Sequence, residues 1–339
     1  MDQSQETKLI VLVAFPDLPM LEIAGPGDVF FQASRAVAEK TGIQNAYQVI
    51  VLAADRSDHI VTRSGITIAS PLRIEDITSP IDTMLIAGYN FDNPVIESSD
   101  FYNWLSGMSE KVRRIGSICV GTFALAKAGL LDGKKVTTHW NKAGKLHQDF
   151  PKAQVDSSRF FIKDGNIYTS GGVSSATDLA LALVEEDFGR EIAVAVARNL
   201  VLYLKRPGYQ YQFGDLLPAS ESGHGLIARL QEWMITHLDQ DLSVEHMAEH
   251  AHMSPRNFAR VFLKETGLTP AKYVEKLRVE IARKLLVEGD LSMDQIAVKT
   301  GLVSMVSMRR VFLRNLMVTP SHYRRAFKTA FQDAGLVET

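Results

Sequence analysis

The amino-acid sequence predicts an α/β domain with a doubly wound, mostly parallel sheet, followed by an all-α domain with two helix-turn-helix motifs. Three observations support this prediction. Strand-like and helix-like segments alternate from residue 8 to residue 204. The last hundred residues contain one helical pattern twice, and they are basic whereas the rest of the chain is acidic. With 339 residues, the chain is long enough for each domain to bury its own core.

The α/β prediction begins with residues 8–15, a nearly uninterrupted apolar run of strand length. Such runs are typical of strands that are covered on both faces. Further strands are predicted at 47–52, 83–87, 115–118, 135–138 and 167–169. Helices are predicted at 27–40, 99–113, 122–128, 141–150, 176–188 and 192–204. We therefore place the first domain at 8–204.

Residues 205–224 are predicted to connect the domains, because periodicity is lost there and Ser, Gly and Pro accumulate towards the end. A flexible linker and an ordered arm both fit this composition. The second domain is placed at 225–328. Residues 260–263 and 269–273 share Arg-Val-Phe-Leu, Thr-Pro and a Tyr with residues 310–313 and 319–323, at an offset of fifty. A duplicated helix-turn-helix of this kind is typical of proteins that place two helices in successive major grooves of DNA.

Each repeat contains a helix that begins after a serine, Ser254 in the first copy and Ser304 in the second. We call these the first and second reading helices. Their apolar positions are predicted to point inward. The outward side chains are Arg256, Ala259, Arg260 and Lys264 in the first and Met305, Val306, Arg309, Arg310 and Arg314 in the second. The four arginines at 256, 260, 309 and 310 are candidates for base edges, and Lys264 and Arg314 for phosphates.

Charge supports this interpretation. Residues 252–328 contain fifteen Lys and Arg but six Asp and Glu, a net charge of +9, whereas the remainder of the chain carries −11. A basic segment on an acidic body is typical of a module that binds a polyanion.

Residues 226–328 resemble the AraC/XylS family of transcription regulators. The resemblance rests on Gly301, Arg-Val-Phe at 310–312, Thr-Pro at 319–320 and Tyr-Arg at 323–324. It implies that the outward positions of both reading helices face the major groove. The chain departs from the family at 301–303, where Gly-Leu-Val replaces the usual Gly-Phe. The apolar Met305 and Val306 that follow either contact thymine methyl groups or leave that helix reading less sequence than usual.

In the first domain, Cys119 lies between a predicted strand and a predicted helix, with Gly121 permitting a tight turn. Ligands collect at such strand ends in open α/β sheets. Unpaired N–H groups at the helix N-terminus are expected to lower the pKa of the thiol. The alternative is a buried, inert cysteine.

The run from Gly116 to Trp140 is similar to the PfpI branch of the class I glutamine-amidotransferase-like superfamily, and the likeness extends over about 8–190. It implies a flavodoxin-like sheet with Cys119 in a nucleophile elbow. The pocket that the resemblance implies is formed by Glu22, Gly88, Tyr89, Cys119, Val120, His139 and Asp178. Hydrolytic members of that branch have a histidine directly after the nucleophile, where this chain has Val120.

Both halves in this order resemble the GlxA family of AraC-type regulators. The favoured interpretation is therefore a regulator, not an enzyme, whose degenerate pocket binds a small-molecule effector. Amino-acid and amine metabolites are the classes that the family suggests. One alternative is a glyoxalase-, deglycase- or hydrolase-like enzyme that uses Cys119 with Glu22 and His139. Another is a redox sensor at Cys119.

The expected partners are double-stranded DNA, the effector, a second copy of the chain and, as for other regulators, RNA polymerase. Monomeric binding stays open, since two reading helices in one chain can already span two grooves. No cofactor is predicted. His246 and His250 have the spacing of metal ligands but no acidic or cysteine partner nearby, so no metal is predicted either. The single cysteine, the polar start and the lack of a membrane span favour the cytoplasm.

Overall fold

The structure, a computed structural model, describes residues 7–91, 99–206, 208, 210, 213, 217 and 226–327. The chain divides into two compact units, Met1–Arg206 and Pro207–Thr339. The first contains the predicted α/β domain and the second the predicted helical domain. Most of the predicted connection, 205–224, lies outside the described residues.

Ten strands occur in the described part of the first unit. They are β1 (Lys8–Ala14), β2 (Tyr47–Ala53), β3 (His59–Val61), β4 (Thr67–Ala69), β5 (Ile81–Ile86), β6 (Arg114–Ser117), β7 (Lys135–Val136), β8 (Gln154–Val155), β9 (Phe161–Asp164) and β10 (Ile167–Ser170). Six of them form the main sheet in the order β2-β1-β5-β6-β10-β9. All neighbours in this sheet are parallel except β10 and β9. The predicted doubly wound, mostly parallel sheet is therefore confirmed.

The inner strand β1 shows why a continuous apolar run predicts a strand. All its residues after Lys8 are buried, because the strand lies between two others and helices cover the sheet. Continuous apolar sequence is the pattern that such a position requires. The antiparallel edge strand β9 was not predicted, since its four residues alternate between exposed and half-buried positions.

The predicted strand at 135–138 is wrong in length and in place. β7 has two residues and pairs with β8 outside the main sheet. The backbone N–H of Thr137 donates to the Thr169 side-chain oxygen at 2.8 Å, and so it is not available to a strand ladder. The β3 and β4 hairpin was also not predicted.

The first unit contains five α-helices in its described part. They are α1 (Leu21–Thr41), α2 (Ser99–Ser109), α3 (Thr122–Lys127), α4 (Ala143–Asp149) and α5 (Ser175–Asn199). The predicted helices 176–188 and 192–204 form the single run α5, broken by the non-helical backbone of Gly189. That run ends five residues earlier than predicted, because Val201 has a positive φ and Leu202 N–H bonds back to the Ala197 carbonyl. The helix predicted at 99–113 ends at Ser109, where a turn leads into β6.

The described part of the second unit is helical. Its helices are α6 (Leu226–Thr236), α7 (Val244–His250), α8 (Pro255–Thr266), α9 (Pro270–Glu288), α10 (Met293–Lys299), α11 (Met305–Leu316) and α12 (Pro320–Phe327). The two reading helices are α8 and α11. The predicted caps are confirmed, since the Ser254 and Ser304 side chains accept backbone N–H bonds from the third residues of these helices.

Two separate cores hold the second unit. One contains Phe258 and Phe262 of α8, and the other contains Met308 and Phe312 of α11. The long α9 belongs to both, because its Leu277 packs in the first core while residues after it pack in the second. Each helix-turn-helix therefore has its own core, and one shared helix connects them.

His246 and His250 lie on an exposed face, as predicted, but both stack on the ring of Trp233, with ring centres 5.9 and 4.1 Å away. No group of three or more metal-ligating side chains occurs among the described residues. None of the helices in the described ranges combines the length and the apolar composition of a membrane span.

Candidate functional site

Cys119 occupies a sharp turn between β6 and α3, as predicted. Its φ is +55°, a left-handed value that is uncommon for any residue except glycine. The turn is held on both sides. Ile118 N–H donates to the Ile86 carbonyl at 2.8 Å, and the Thr138 hydroxyl donates to the Cys119 carbonyl at 2.8 Å. A backbone strained in this way persists only where its surroundings determine it, and such residues cluster at functional sites.

Close packing, rather than a turn conformation, explains the glycine after this cysteine. Gly121 has an ordinary helical φ of −56°. A Cβ added there would lie 2.3 Å from the Ile86 carbonyl oxygen, so no larger residue fits between the start of α3 and the end of β5. The predicted role of Gly121 in permitting a tight turn is therefore corrected to one of close approach.

Glu22 and Gly88 meet beside this turn, which the resemblance implied. Glu22 lies in the first turn of α1 and is fully buried. Its carboxylate accepts the Gly88 N–H at 2.5 Å, and a Cβ on Gly88 would come within 2.9 Å of that carboxylate. Burial raises the pKa of Glu22 to about 7, against the opposing effects of the Gly88 N–H, the Cys119 thiol and the Arg63 guanidinium. Glu22 can therefore hold or release a proton near neutral pH.

The expected lowering of the Cys119 pKa is wrong. Burial raises the pKa of this thiol well above its usual range, and the neighbouring Glu22 charge raises it further. The Val120 N–H acts in the opposite direction but is outweighed. The helix that follows has only six residues, so it offers little compensation for a buried carboxylate beside the sulfur.

The remaining predicted pocket residues lie in different surroundings. Tyr89 and Val120 are buried next to the residues already described. His139 is half-buried, and its Nδ1 accepts the Asn141 N–H at 3.3 Å. No hydrogen bond joins the His139 and Cys119 side chains within the described part of the chain. Asp178 pairs instead with Arg206, at 2.6 Å.

Sequence reasoning missed several residues that shape the elbow. The Thr122 hydroxyl bonds to the carbonyls of Cys119 and Thr137, at 3.2 and 3.0 Å. Arg63 lowers the pKa of both Glu22 and Cys119, although it lies in the hairpin between β3 and β4. The threonines could have been suspected from their places beside Cys119 and His139. No local signal identifies Arg63, because the hairpin brings it to the site from a distant part of the sequence.

A cavity of about 540 Å³ lies elsewhere, at the ends of β1 and β2. It is lined by Val13, by residues of 52–56 and 72–75, and by Asp100, Phe101 and Trp104 of α2. None of the seven predicted pocket residues lines it. At the elbow, Glu22 and Cys119 are buried.

The outward positions of the first reading helix are available to a partner. Arg256, Arg260 and Lys264 are exposed, and Ala259 is half-buried. The Arg260 guanidinium donates to the Asn257 side chain at 2.9 Å, which holds it along the exposed face. The inward Phe258 and Phe262 are fully buried, so the helix cannot rotate without losing its core.

The second reading helix presents a different surface. Arg309 and Arg310 are exposed, but its first turn is apolar, with Met305 47% and Val306 66% exposed. Val303, just before this turn, is 78% exposed and has a φ of +67°. Such a φ is strained for a β-branched residue. Arg314, which was predicted to meet phosphate, forms an ion pair with Glu275 of α9.

Comparison with known proteins identifies the family. Residues 8–186, more than half of the chain, match the DJ-1/PfpI family. The chain belongs to the DJ-1/PfpI family. Residues 247–326 match a helix-turn-helix domain, which is of the AraC type. The predicted family and the order of its two domains are thus confirmed.

Three relatives of this DJ-1/PfpI chain are informative. It is 28% identical over 222 residues to the HTH-type transcriptional regulator GbdR of Pseudomonas aeruginosa, covering 66% of this chain and 60% of GbdR. It is 28% identical over 279 residues to the HTH-type transcriptional regulator GlxA of Rhizobium meliloti, covering 82% and 85%. It is also 25% identical over 212 residues to isonitrile hydratase of Pseudomonas putida, covering 62% and 85%. Relatives of the DJ-1/PfpI domain therefore include regulators and an enzyme.

Proposed function

We propose that this protein is a sequence-specific DNA-binding transcription regulator whose DJ-1/PfpI domain binds a small-molecule effector. The observation that carries the first part is the pair of reading helices, each capped by a serine, packed on its own core and exposing two of the four candidate arginines. Its relatives with both domains are named as regulators. The basic charge of residues 252–328 fits a polyanionic partner.

The test of DNA binding compares two exposed cations on α8. DNA sites are first selected from a random library with the full chain. Arg260→Ala should then weaken binding by about 1–3 kcal/mol and relax the preference at one base position, because an arginine at a base edge carries sequence information. Lys264→Ala is the matched control and should weaken all sequences alike. If Arg260→Ala leaves both affinity and sequence preference unchanged, the assignment of α8 as a reading helix is wrong.

We further propose that the apolar first turn of α11 recognises thymine. Met305 and Val306 are exposed, and they occupy the positions that Pro255 and Arg256 have in the first reading helix. Apolar side chains in the major groove contact the thymine methyl group. Replacing thymine by deoxyuracil in the second half of the selected site should cost about 0.8 kcal/mol for each methyl group that is buried. Val306→Ala should reduce this cost, and a cost that is unchanged would contradict the contact.

The effector function rests on the retained elbow. Glu22, Gly88 and Cys119 keep their close packing, and in the part of the chain that the structure describes no hydrogen bond joins His139 to the Cys119 side chain. A buried polar cluster of this kind can bind a small molecule without converting it. A metabolite panel screened by thermal shift on the full chain should contain a compound that raises the melting temperature of the parent more than that of Glu22→Gln. Compounds that act equally on both would place the effector elsewhere. A homodimer and a cytoplasmic location stay predictions from the sequence.

A second candidate function, enzymatic turnover at Cys119, is favoured by one observation. The pKa of Glu22, about 7, is that of an efficient general acid or base at neutral pH, and this group adjoins a cysteine. The test is Cys119→Ser. If this variant loses a turnover activity but keeps its DNA affinity and its response to the effector, the enzymatic function is favoured. A redox sensor is less well supported, because a buried thiol with a raised pKa carries little of the thiolate on which oxidation depends.

A further inference from the structure

The guanidinium of Arg206 contacts four side chains of the first unit. One of its nitrogens lies 2.6 Å from an Asp178 carboxylate oxygen and 3.0 Å from the Ser175 hydroxyl. Another lies 3.1 Å from the Ser174 hydroxyl. The carbon of the guanidinium lies 4.0 Å from the centre of the Phe160 ring. A carboxylate, two hydroxyls and an aromatic face form a recognition set for a planar cation.

The site lies where the chain leaves the first unit. Ser174, Ser175 and Asp178 lie at the start of α5, just after the end of β10. Arg206 follows the end of α5 by seven residues and is the last residue of the first unit. The side-chain contacts of Arg206 therefore hold the point at which the chain leaves the α/β domain.

Burial makes the site depend on a cation. The Asp178 side chain is 10% exposed and that of Arg206 is 20% exposed. Burial raises the pKa of Asp178 to about 6, even though Arg206 favours the charged form. A buried carboxylate that loses its partner is strongly unfavourable unless it takes up a proton or another cation. The chain's own arginine thus occupies a position that a free cation of the same shape can satisfy.

We infer that the side chains around the Arg206 guanidinium form a binding site for small guanidinium compounds, and that Arg206 is the internal occupant of this site. A free guanidinium that binds Asp178 displaces Arg206 and releases the start of the segment that leads to the second unit. A residue tethered this closely competes at an effective concentration in the millimolar range, so millimolar ligand is required. Any consequence for transcription rests on the proposed function above, whereas binding and release do not.

The first test measures release in the full chain. Tyr203 is 69% exposed and lies three residues before Arg206, so chymotrypsin cleavage after it reports on the freedom of this segment. Methylguanidinium at about 10 mM, in the range set by the tether, should accelerate this cleavage severalfold. Methylurea has the same shape without the charge, and it should have no effect. Arg206→Ala should be cleaved at the fast rate without ligand, and Arg206→Lys should be cleaved more slowly than Arg206→Ala because it keeps a cation. Cleavage of Arg206→Ala at the parent rate would overturn the anchoring role.

The second test measures binding without proteolysis. The site is empty in Arg206→Ala, so methylguanidinium should raise the melting temperature of this variant more than that of the parent. Methylurea should raise neither melting temperature. Adding Asp178→Asn to Arg206→Ala should remove the gain. Equal effects of methylguanidinium and methylurea on Arg206→Ala would overturn the binding site. Should Asp178→Asn not fold, Ser174→Ala, which removes one exposed hydroxyl from the site, should reduce the gain in the same background. Neither measurement uses DNA, so its failure is distinguishable from a failure of the reading helices.

Discussion

Gly301 lies in the turn between α10 and α11. Adding a methyl group there should lower the free energy of unfolding far more than adding one at Gly267. The φ of Gly301 is +67°, and an added Cβ would lie 2.0 Å from the Leu238 carbonyl oxygen. Gly267, after α8, has nearly the same φ of +69° but no heavy atom within 4 Å of the added position. The pair therefore separates the cost of backbone conformation from the cost of a tertiary contact.

The magnitude follows from these two terms. Alanine in the left-handed region costs roughly 1–2 kcal/mol at either position. At Gly301 a normal contact requires the two atoms to separate by about 1 Å, and the Leu238 side chain is itself buried in the first core. Forcing extra atoms into a packed region typically costs about 1–3 kcal/mol. We therefore expect Gly267→Ala to lose roughly 1–2 kcal/mol of unfolding free energy and Gly301→Ala to lose roughly 2–5 kcal/mol.

Urea unfolding followed by tryptophan fluorescence can measure this difference in the helical unit alone. The chain has three tryptophans, and Trp104→Phe with Trp140→Phe leaves only Trp233, which packs against the first core. Comparing midpoints at an unchanged denaturant slope then gives the change in free energy for each variant.

Equal losses for the two variants would refute the reasoning. They would show that the Leu238 carbonyl moves aside without cost, so that the contact between the two helix-turn-helix halves is not rigid. A larger loss at Gly267 would contradict the assigned geometry altogether.

Two further predictions concern buried charges of the α/β domain. Asp187→Ala should lose about 3–5 kcal/mol of unfolding free energy, because it leaves the buried Arg114 guanidinium without its partner at 2.6 Å. Glu186→Ala, which removes a 35% exposed carboxylate 3.3 Å from the same guanidinium, should lose less than about 1 kcal/mol; comparable losses in urea unfolding would contradict this. Glu22→Gln tests pH dependence. The folded-state pKa of about 7 lies above the ordinary value of 4.5, so the stability associated with Glu22 is fully present below pH 4.5 and is lost as the pH rises through 7. The variant should thus match the parent at pH 4.5 and exceed it by roughly 3 kcal/mol at pH 8, and a difference independent of pH in thermal unfolding would count against the raised pKa.

The strands that could be located from sequence are those whose environment leaves a local signature. β1 and β5 lie inside the parallel part of the sheet and β2 lies at its parallel edge, and the apolar runs of all three match the observed bounds within two residues. The two-residue strand β7 and the edge strand β9 have no such run. Their pairing depends on partners elsewhere in the chain, so periodicity alone does not reveal it.

The candidate site around Cys119 also has a part that was predictable from local sequence and a part that was not. The turn at Cys119 was predictable because a strand, a small residue and a helix follow one another locally. The direction of its pKa was not, because it depends first on burial of the thiol and then on Glu22, which is almost a hundred positions away and reaches the site only in the folded chain. Asp178 was predicted as a residue of the effector pocket, whereas its partner Arg206 is known only from the fold.

By itself, the sequence determined the two domains, the parallel sheet, the repeated reading helices and the position of the cysteine turn, since each depends on contacts between residues close in the chain or on burial of a whole face. Only the tertiary structure decided which charges meet. It brought Arg63 to Glu22 and Cys119, Arg206 to Asp178 and Glu275 to Arg314. The reason is physical: the energy of a charge depends on distance and on exclusion of water, and neither is a property of sequence neighbours.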